Sequence, residues 1–151
     1  MNNKGFVSLG GAGPGDVEVM TVKAVSLVQQ ADVVVYDRLV SADILDLIPS
    51  GVSRISVGKE VGKHCVPQEK INETIVSLAS SGRHVVRLKG GDPYMFGRGG
   101  EEAQFLAGHG IKVDVVPGIT AASASAYAGI PLTHRGITNG VTLVTGHMRE
   151  D

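Results

Sequence analysis

Residues 87–102, RLKGGDPYMFGRGGEE, set five glycines and one proline among Arg87, Lys89, Asp92, Arg98, Glu101 and Glu102. A loop that only turned the chain would not need these charges, and a loop that only held phosphate would not need the acids. Gly90 and Gly91 allow backbone to come close to a ligand. Asp92 is the acceptor to single out, able to take hydrogen bonds from ribose hydroxyls or from an amine. Asp92-Pro93 stops the preceding strand, and Tyr94, Met95 and Phe96 form a local apolar wall. Glu101 and Glu102 are explained as first-turn residues of the following helix, where acids meet the positive end of the dipole. A connection this elaborate is characteristic of a functional loop.

Four further stretches carry chemistry-bearing types. GAGPGD (11–16) follows a short apolar run. It is not the dinucleotide fingerprint, because Asp16 stands where the third glycine belongs, and it is not a Walker loop, because no Gly-Lys-Ser/Thr follows. Pro14 removes an N–H and fixes φ, giving a rigid loop rather than a phosphate nest. In YDRLV (36–40), Asp37 sits just past a buried run, either as a turn residue or as a site group, and Arg38 could pair with it or face an anion. In VGKEVGKHC (57–65), Lys59, Lys63 and His64 make either a solvated basic loop or a group that binds carboxylates or moves protons. One histidine beside Cys65 supplies too few ligands for a metal, so no metal is expected. In VVPGITAASASAYAGIPLTHR (115–135), Thr120 and Ala121 open a run of small residues, where free N–H groups point outward.

The elements that must position these residues can be read from periodicity. GFVSLGG, DVVVY, RISVG, HVVRL and KVDVV read as strands, and the continuous β-branched run of 33–35 suits a strand buried on both faces. Between them, TVKAVSLVQQA reads as a helix with Thr21 as N-cap and Val22, Val25 and Val28 on one face. ADILDLI reads as a short helix ended by Pro49. PQEKINETIVSLASSG is the clearest helix, with Ile71, Ile75, Leu78 and Ala79 facing one way. GGEEAQFLAGHG and TAASASAYAG complete the helices, and VTLVT (141–145) reads as a last strand. Strands alternating with helices predict an α/β fold with a mostly parallel sheet and flanking helices. Glycine loops at 10–16, 90–93 and 117–118 each follow a strand. In open α/β sheets the ligand crevice lies outside the carboxyl ends of the strands, so the three loops are expected to wall one site.

With 151 residues, 42% hydrophobic and 19% charged, the chain is long enough for one compact domain with a real core. A net charge of −1 and six phenylalanines and tyrosines without tryptophan argue against a nucleic-acid partner. The apolar runs are strand-sized, so no membrane span is expected, and the N-terminus has no long apolar stretch of the secretory kind, which makes the cytoplasm the expected compartment. A strand at 141–145 with no following partner predicts that the chain is a fragment or that a second lobe is missing.

GAGPGD, ADVVVYDRLVS, HCVPQEKIN, VVRLKGGDPYMFGRGGEE and VVPGITAASASAYAGIPLTHR together closely resemble the tetrapyrrole methylase family, in order and from Gly5 onward. Within it they are most similar to the members that methylate uroporphyrinogen III. The resemblance implies transfer of methyl groups from S-adenosyl-L-methionine to two pyrrole carbons, giving precorrin-2 on the way to sirohaem and cobalamin, with S-adenosyl-L-homocysteine as by-product. It implies an N-terminal α/β lobe over residues 1–117, with residues 118–151 as an interlobe helix and the first strand of an incomplete C-terminal lobe, in a homodimer. It places cofactor contacts at Pro14, Gly90, Gly91, Asp92, Met95, Thr120 and Ala121, a proton acceptor at Asp37 and a proton donor at Lys59. S-adenosyl-L-methionine has a sulfonium cation, an amino-acid head and a ribose but no phosphate, which suits a loop that carries both glycines and acids. The substrate bears eight carboxylates, so Lys59, Lys63, Arg38, His134 and Arg135 are candidates to meet it. Three alternatives differ in substrate or class: methylation of a later corrinoid such as precorrin-4, a binding module without catalysis, and a nicotinamide oxidoreductase, against which Asp16 argues.

Overall fold

The computed structural model describes residues 4–58 and 66–146. Five strands, β1 (Phe6–Gly11), β2 (Val33–Tyr36), β3 (Ser53–Ser56), β4 (His84–Lys89) and β5 (Lys112–Val116), form one sheet in the order β3-β2-β4-β1-β5. Every pairing is parallel. Register brings the carboxyl ends to one level: Gly11 lies opposite Lys89, Gly10 opposite Val116, and Tyr36 opposite both Leu88 and Ser56. The loops that follow therefore leave the sheet at one edge.

Helices α1 (Val22–Gln30) and α2 (Ala42–Leu45) cover one face, and α3 (Gln68–Ser80) and α4 (Gly99–Gly108) the other. Because successive strand side chains alternate, Val34, Val86 and Leu88 pack with Ala24, Val28 and Ile44, while Val33, Val35 and Val85 pack with Ile71, Ile75 and Leu106. By the same alternation Arg87 and Lys89 follow Val85 onto the α3–α4 face.

Helix starts agree with their capping residues. Thr21 Oγ1 accepts from Ala24 N at 3.0 Å, and Ser41 Oγ from Ile44 N at 3.3 Å. Four details differ from the sequence reading. The buried face of α1 carries Ala24 and Val28, while Val22 is 86% exposed; steps of three fall about 60° short of a full turn, so Val22 and Val28 end on different faces. Helix α2 is a single turn, after which Leu47 and Ile48 bond three residues back, to Ile44 and Leu45. The small-residue run forms a 3₁₀ helix over Ser123–Ala128 rather than an α-helix over 120–129. Residues 141–145 form no strand: a strand needs a neighbour, and none of the five takes this segment beside it.

At the opposite sheet edge, His84 stacks on Phe6 with ring centroids 4.0 Å apart, and its Nε2 lies 2.9 Å from Ser8 Oγ. Burial pushes the imidazole below its ordinary value of 6.5, against the pull of Asp32 and Asp114. The unfolded chain therefore binds this proton more readily than the folded one. Stability that neutral His84 contributes is present above pH 6.5 and is lost as the pH falls below it. Thermal melts across that range should show a steeper acid-side loss for the wild type than for His84→Gln; parallel profiles would contradict this.

Candidate functional site

The loops after β1, β4 and β5 interlock at the carboxyl edge. Ala12 N donates to Lys89 O at 2.7 Å, and Gly13 and Gly91 exchange two backbone bonds of 3.1 and 2.8 Å. Asp92 joins the third loop: its Oδ1 accepts from Gly118 N and its Oδ2 from Tyr94 N, both at 2.9 Å. The glycines are explained chiefly by this interlock. A Cβ on Gly118 would stand 2.1 Å from Gly91 O and 2.8 Å from Gly11 Cα, and one on Gly90 would stand 2.8 Å from Leu39 Cβ. Gly91 itself has φ +66°, which favours glycine. Close approach is thus required first between loops.

These loops wall a cleft of about 1240 Å³. Pro14, Gly90, Gly91, Asp92, Met95, Thr120 and Ala121 all line it, as do Asp37 and Arg38 from the loop after β2. Lys59, Lys63, His64 and Cys65 lie outside the described residues. His134 and Arg135 do not line the cleft; His134 instead pairs with Thr138 in a tight turn. Thr120 Oγ1 accepts from Ser123 N at 3.3 Å, and Tyr127 Oη donates to Asp16 Oδ2 at 3.1 Å, which ties the 3₁₀ segment to the loop after β1.

The turn 92–98 is held in an uncommon shape. Phe96 and Arg98 have φ of 55° and 58°, a region that residues with side chains seldom occupy. Bonds from Met95 N to Asp92 O (3.2 Å) and from Gly99 N to Pro93 O (3.0 Å) close the turn. Phe96 and Met95 are thereby left exposed on the cleft wall. Arg98 pairs with Glu101 at 2.9 Å in the open, where such a pair contributes little.

Asp37 Oδ1 accepts from Leu39 N at 2.9 Å, and Oδ2 lies 4.0 Å from Arg87 Nη2. Its carboxylate is a quarter exposed, so it is both fixed and reachable. Behind it is a charge cluster that the sequence reading did not assemble. Glu102, read as a first-turn helix residue, is fully buried; Arg87 and Lys89 are buried as well. Lys89 Nζ donates to Glu102 Oε1 at 2.9 Å, and Arg87 Nε lies 3.5 Å from the same oxygen. Burial lowers the Lys89 ammonium from its ordinary value, the Arg87 charge lowers it further, and Glu102 opposes both. Two signals point to the cluster: Glu102 and Leu106 share one face of α4 at i, i+4, and Arg87 and Lys89 alternate with core residues.

An open parallel sheet with glycine loops walling a cleft at its carboxyl edge is the arrangement in which α/β proteins bind ligands. Comparison with known proteins gives the family. Residues 7–151 match the Tetrapyrrole (Corrin/Porphyrin) Methylases, and the chain belongs to that family. A siroheme synthase of Yersinia pestis is 58% identical over 152 residues, covering 100% of this chain and 32% of that protein. Uroporphyrin III C-methyl transferase from Thermus thermophilus superposes with a TM-score of 0.78 at 51% identity, covering 90% of this chain and 57% of that one. The same Thermus thermophilus enzyme, complexed with S-adenyl homocysteine, matches at 50% identity with the same score and coverage. The chain thus spans about a third of the curated relative and just over half of the solved chains. Among the described residues, no group of His, Cys, Asp or Glu could hold a metal ion, and no helix is long and apolar enough to cross a membrane.

Proposed function

We propose that the chain supplies the cofactor-binding lobe of a methyltransferase that acts on uroporphyrinogen III. It would methylate two pyrrole carbons to give precorrin-2, for sirohaem or cobalamin. The observation that carries this reading is the convergence of Pro14, Gly90–Asp92, Met95 and Thr120–Ala121 on one cleft wall, in a chain half identical to an enzyme solved with S-adenyl homocysteine. The chemistry of the wall fits that ligand. Pro14 has no N–H for a phosphate, Asp92 keeps lone pairs beyond its two backbone bonds, and Met95 and Phe96 offer apolar contact. At about 1240 Å³ the cleft is larger than the 300–1,000 Å³ common for one small ligand.

S-adenosyl-L-methionine, when bound, supplies an electrophilic methyl group and leaves as S-adenosyl-L-homocysteine. The protein's part is to align the substrate carbon and to take the proton that the methylated substrate must lose. Asp37, fixed through Leu39 N and open to the cleft, is the acceptor in this reading, and Lys59 the donor. Arg38 is placed to meet a substrate carboxylate. Residues 1–117 are read as the N-terminal lobe and 118–151 as the start of the second, in a cytoplasmic homodimer.

Titration calorimetry with S-adenosyl-L-homocysteine tests the cofactor half of this reading, using the chain completed to the length of its solved relatives. Saturable binding that Asp92→Ala weakens is expected. A folded protein that takes up no ligand would overturn it.

A further inference from the structure

Four charged side chains meet where β4, α4 and the loop after β2 come together. Arg87 and Lys89 are 3% and 4% exposed, Glu102 is 0% exposed, and both cations line the cleft. Glu102 Oε1 serves three groups: Lys89 Nζ at 2.9 Å, Gln68 Nε2 at 3.0 Å and Arg87 Nε at 3.5 Å. Neither Glu102 Oε2 nor Arg87 Nε makes a hydrogen bond. Arg87 then extends to Asp37, with Nη2 4.0 Å from Oδ2. Two cations face two carboxylates, one carboxylate deep and one in the cleft. Removing one partner of a buried ion pair strands the other, whereas removing the pair as a unit is often tolerated. Without the Glu102 charge, the Lys89 ammonium would compete with Arg87 for Asp37.

We propose that Glu102 is a positioning residue for Asp37: by engaging Lys89 it leaves Arg87 Nη2 to face Asp37 Oδ2, and so orients in the cleft a carboxylate that Leu39 N holds by its other oxygen. This rests on the reading of Asp37 as the proton acceptor.

A double-mutant cycle tests it in the chain completed to the length of its solved relatives. Glu102→Gln should lower kcat about tenfold or more, as small misplacements of a reacting group do. KM and S-adenosyl-L-homocysteine affinity should move less than about threefold. Adding Lys89→Met removes the cation that Glu102 holds most closely, so that Arg87 alone faces Asp37, and should return kcat to within about threefold of wild type. The Asp37 carboxyl carbon-13 resonance should shift in Glu102→Gln and return in the double variant. If Glu102→Gln does not fold, Glu102→Asp replaces it, keeping the charge but withdrawing it from Lys89, with the expectation of reduced kcat, a shifted Asp37 resonance and KM within about threefold of wild type. A double variant no better than the single one, a loss confined to KM, or an Asp37 resonance that never moves would overturn the proposal. The resonance requires no turnover: if the wild type transfers no methyl group, the reading of the cleft fails, and the resonance still decides whether Glu102 governs Asp37.

Discussion

Asp37→Asn is expected to lower methyl transfer about 100-fold, the lower end of what a positioned acid or base contributes. The substitution keeps the shape of the side chain, and the asparagine oxygen can still accept from Leu39 N, the bond that fixes residue 37 at the end of β2. What is lost is the charge opposite Arg87 and the oxygen able to take a proton. Cofactor binding should stay within about threefold of wild type, because Pro14, Gly90–Asp92, Met95 and Thr120–Ala121 belong to other loops. A fall in kcat without a fall in affinity would assign Asp37 to the chemical step. Full turnover by Asp37→Asn would remove Asp37 from the mechanism, whatever the fate of the family assignment.

Gly118→Ala is expected to destabilise the site strongly. The new Cβ would stand 2.1 Å from Gly91 O, 2.8 Å from Gly11 Cα and 3.0 Å from Gly11 C, all backbone atoms that cannot rotate away. Relief requires the loops after β1, β4 and β5 to separate, which would also loosen the bond from Gly118 N to Asp92. Overpacking of this kind costs about 3 kcal/mol, or roughly 10 °C in Tm for a chain of this size. Gly100→Ala is the control: nothing lies within 4 Å of the Cβ it would add, and it sits in α4. Its Tm should hold or rise slightly. Equal melting of the two variants would show that the loops are not interlocked as described.

Local pattern made much of the architecture legible. The β-branched run 33–35 and the apolar spacing of 71–79 are strong signals because the burial that creates them repeats at the period of the element. Glycine loops after three strands led to one cleft because parallel strands end at a common edge. What stayed hidden depends on partners distant in sequence. Glu102 looked like a helix-start acid because its partners, Lys89 and Arg87, sit on a different element. The Val22 stripe failed because a spacing of three drifts around the helix. Residues 141–145 have the composition of a strand, but composition cannot supply the neighbour that a strand requires. The packing of Gly11, Gly90 and Gly118 against other loops was hidden for the same reason, since those neighbours are distant in sequence.

Methyl transfer under anaerobic conditions, with uroporphyrinogen III and methyl-labelled S-adenosyl-L-methionine and products followed by mass, decides whether the cleft serves the proposed reaction. The protein assayed is this chain completed to the length of its solved relatives. Addition of two labelled methyl groups is the predicted result. A folded protein that binds S-adenosyl-L-homocysteine yet adds none would contradict the substrate assignment and turn the search to a later corrinoid.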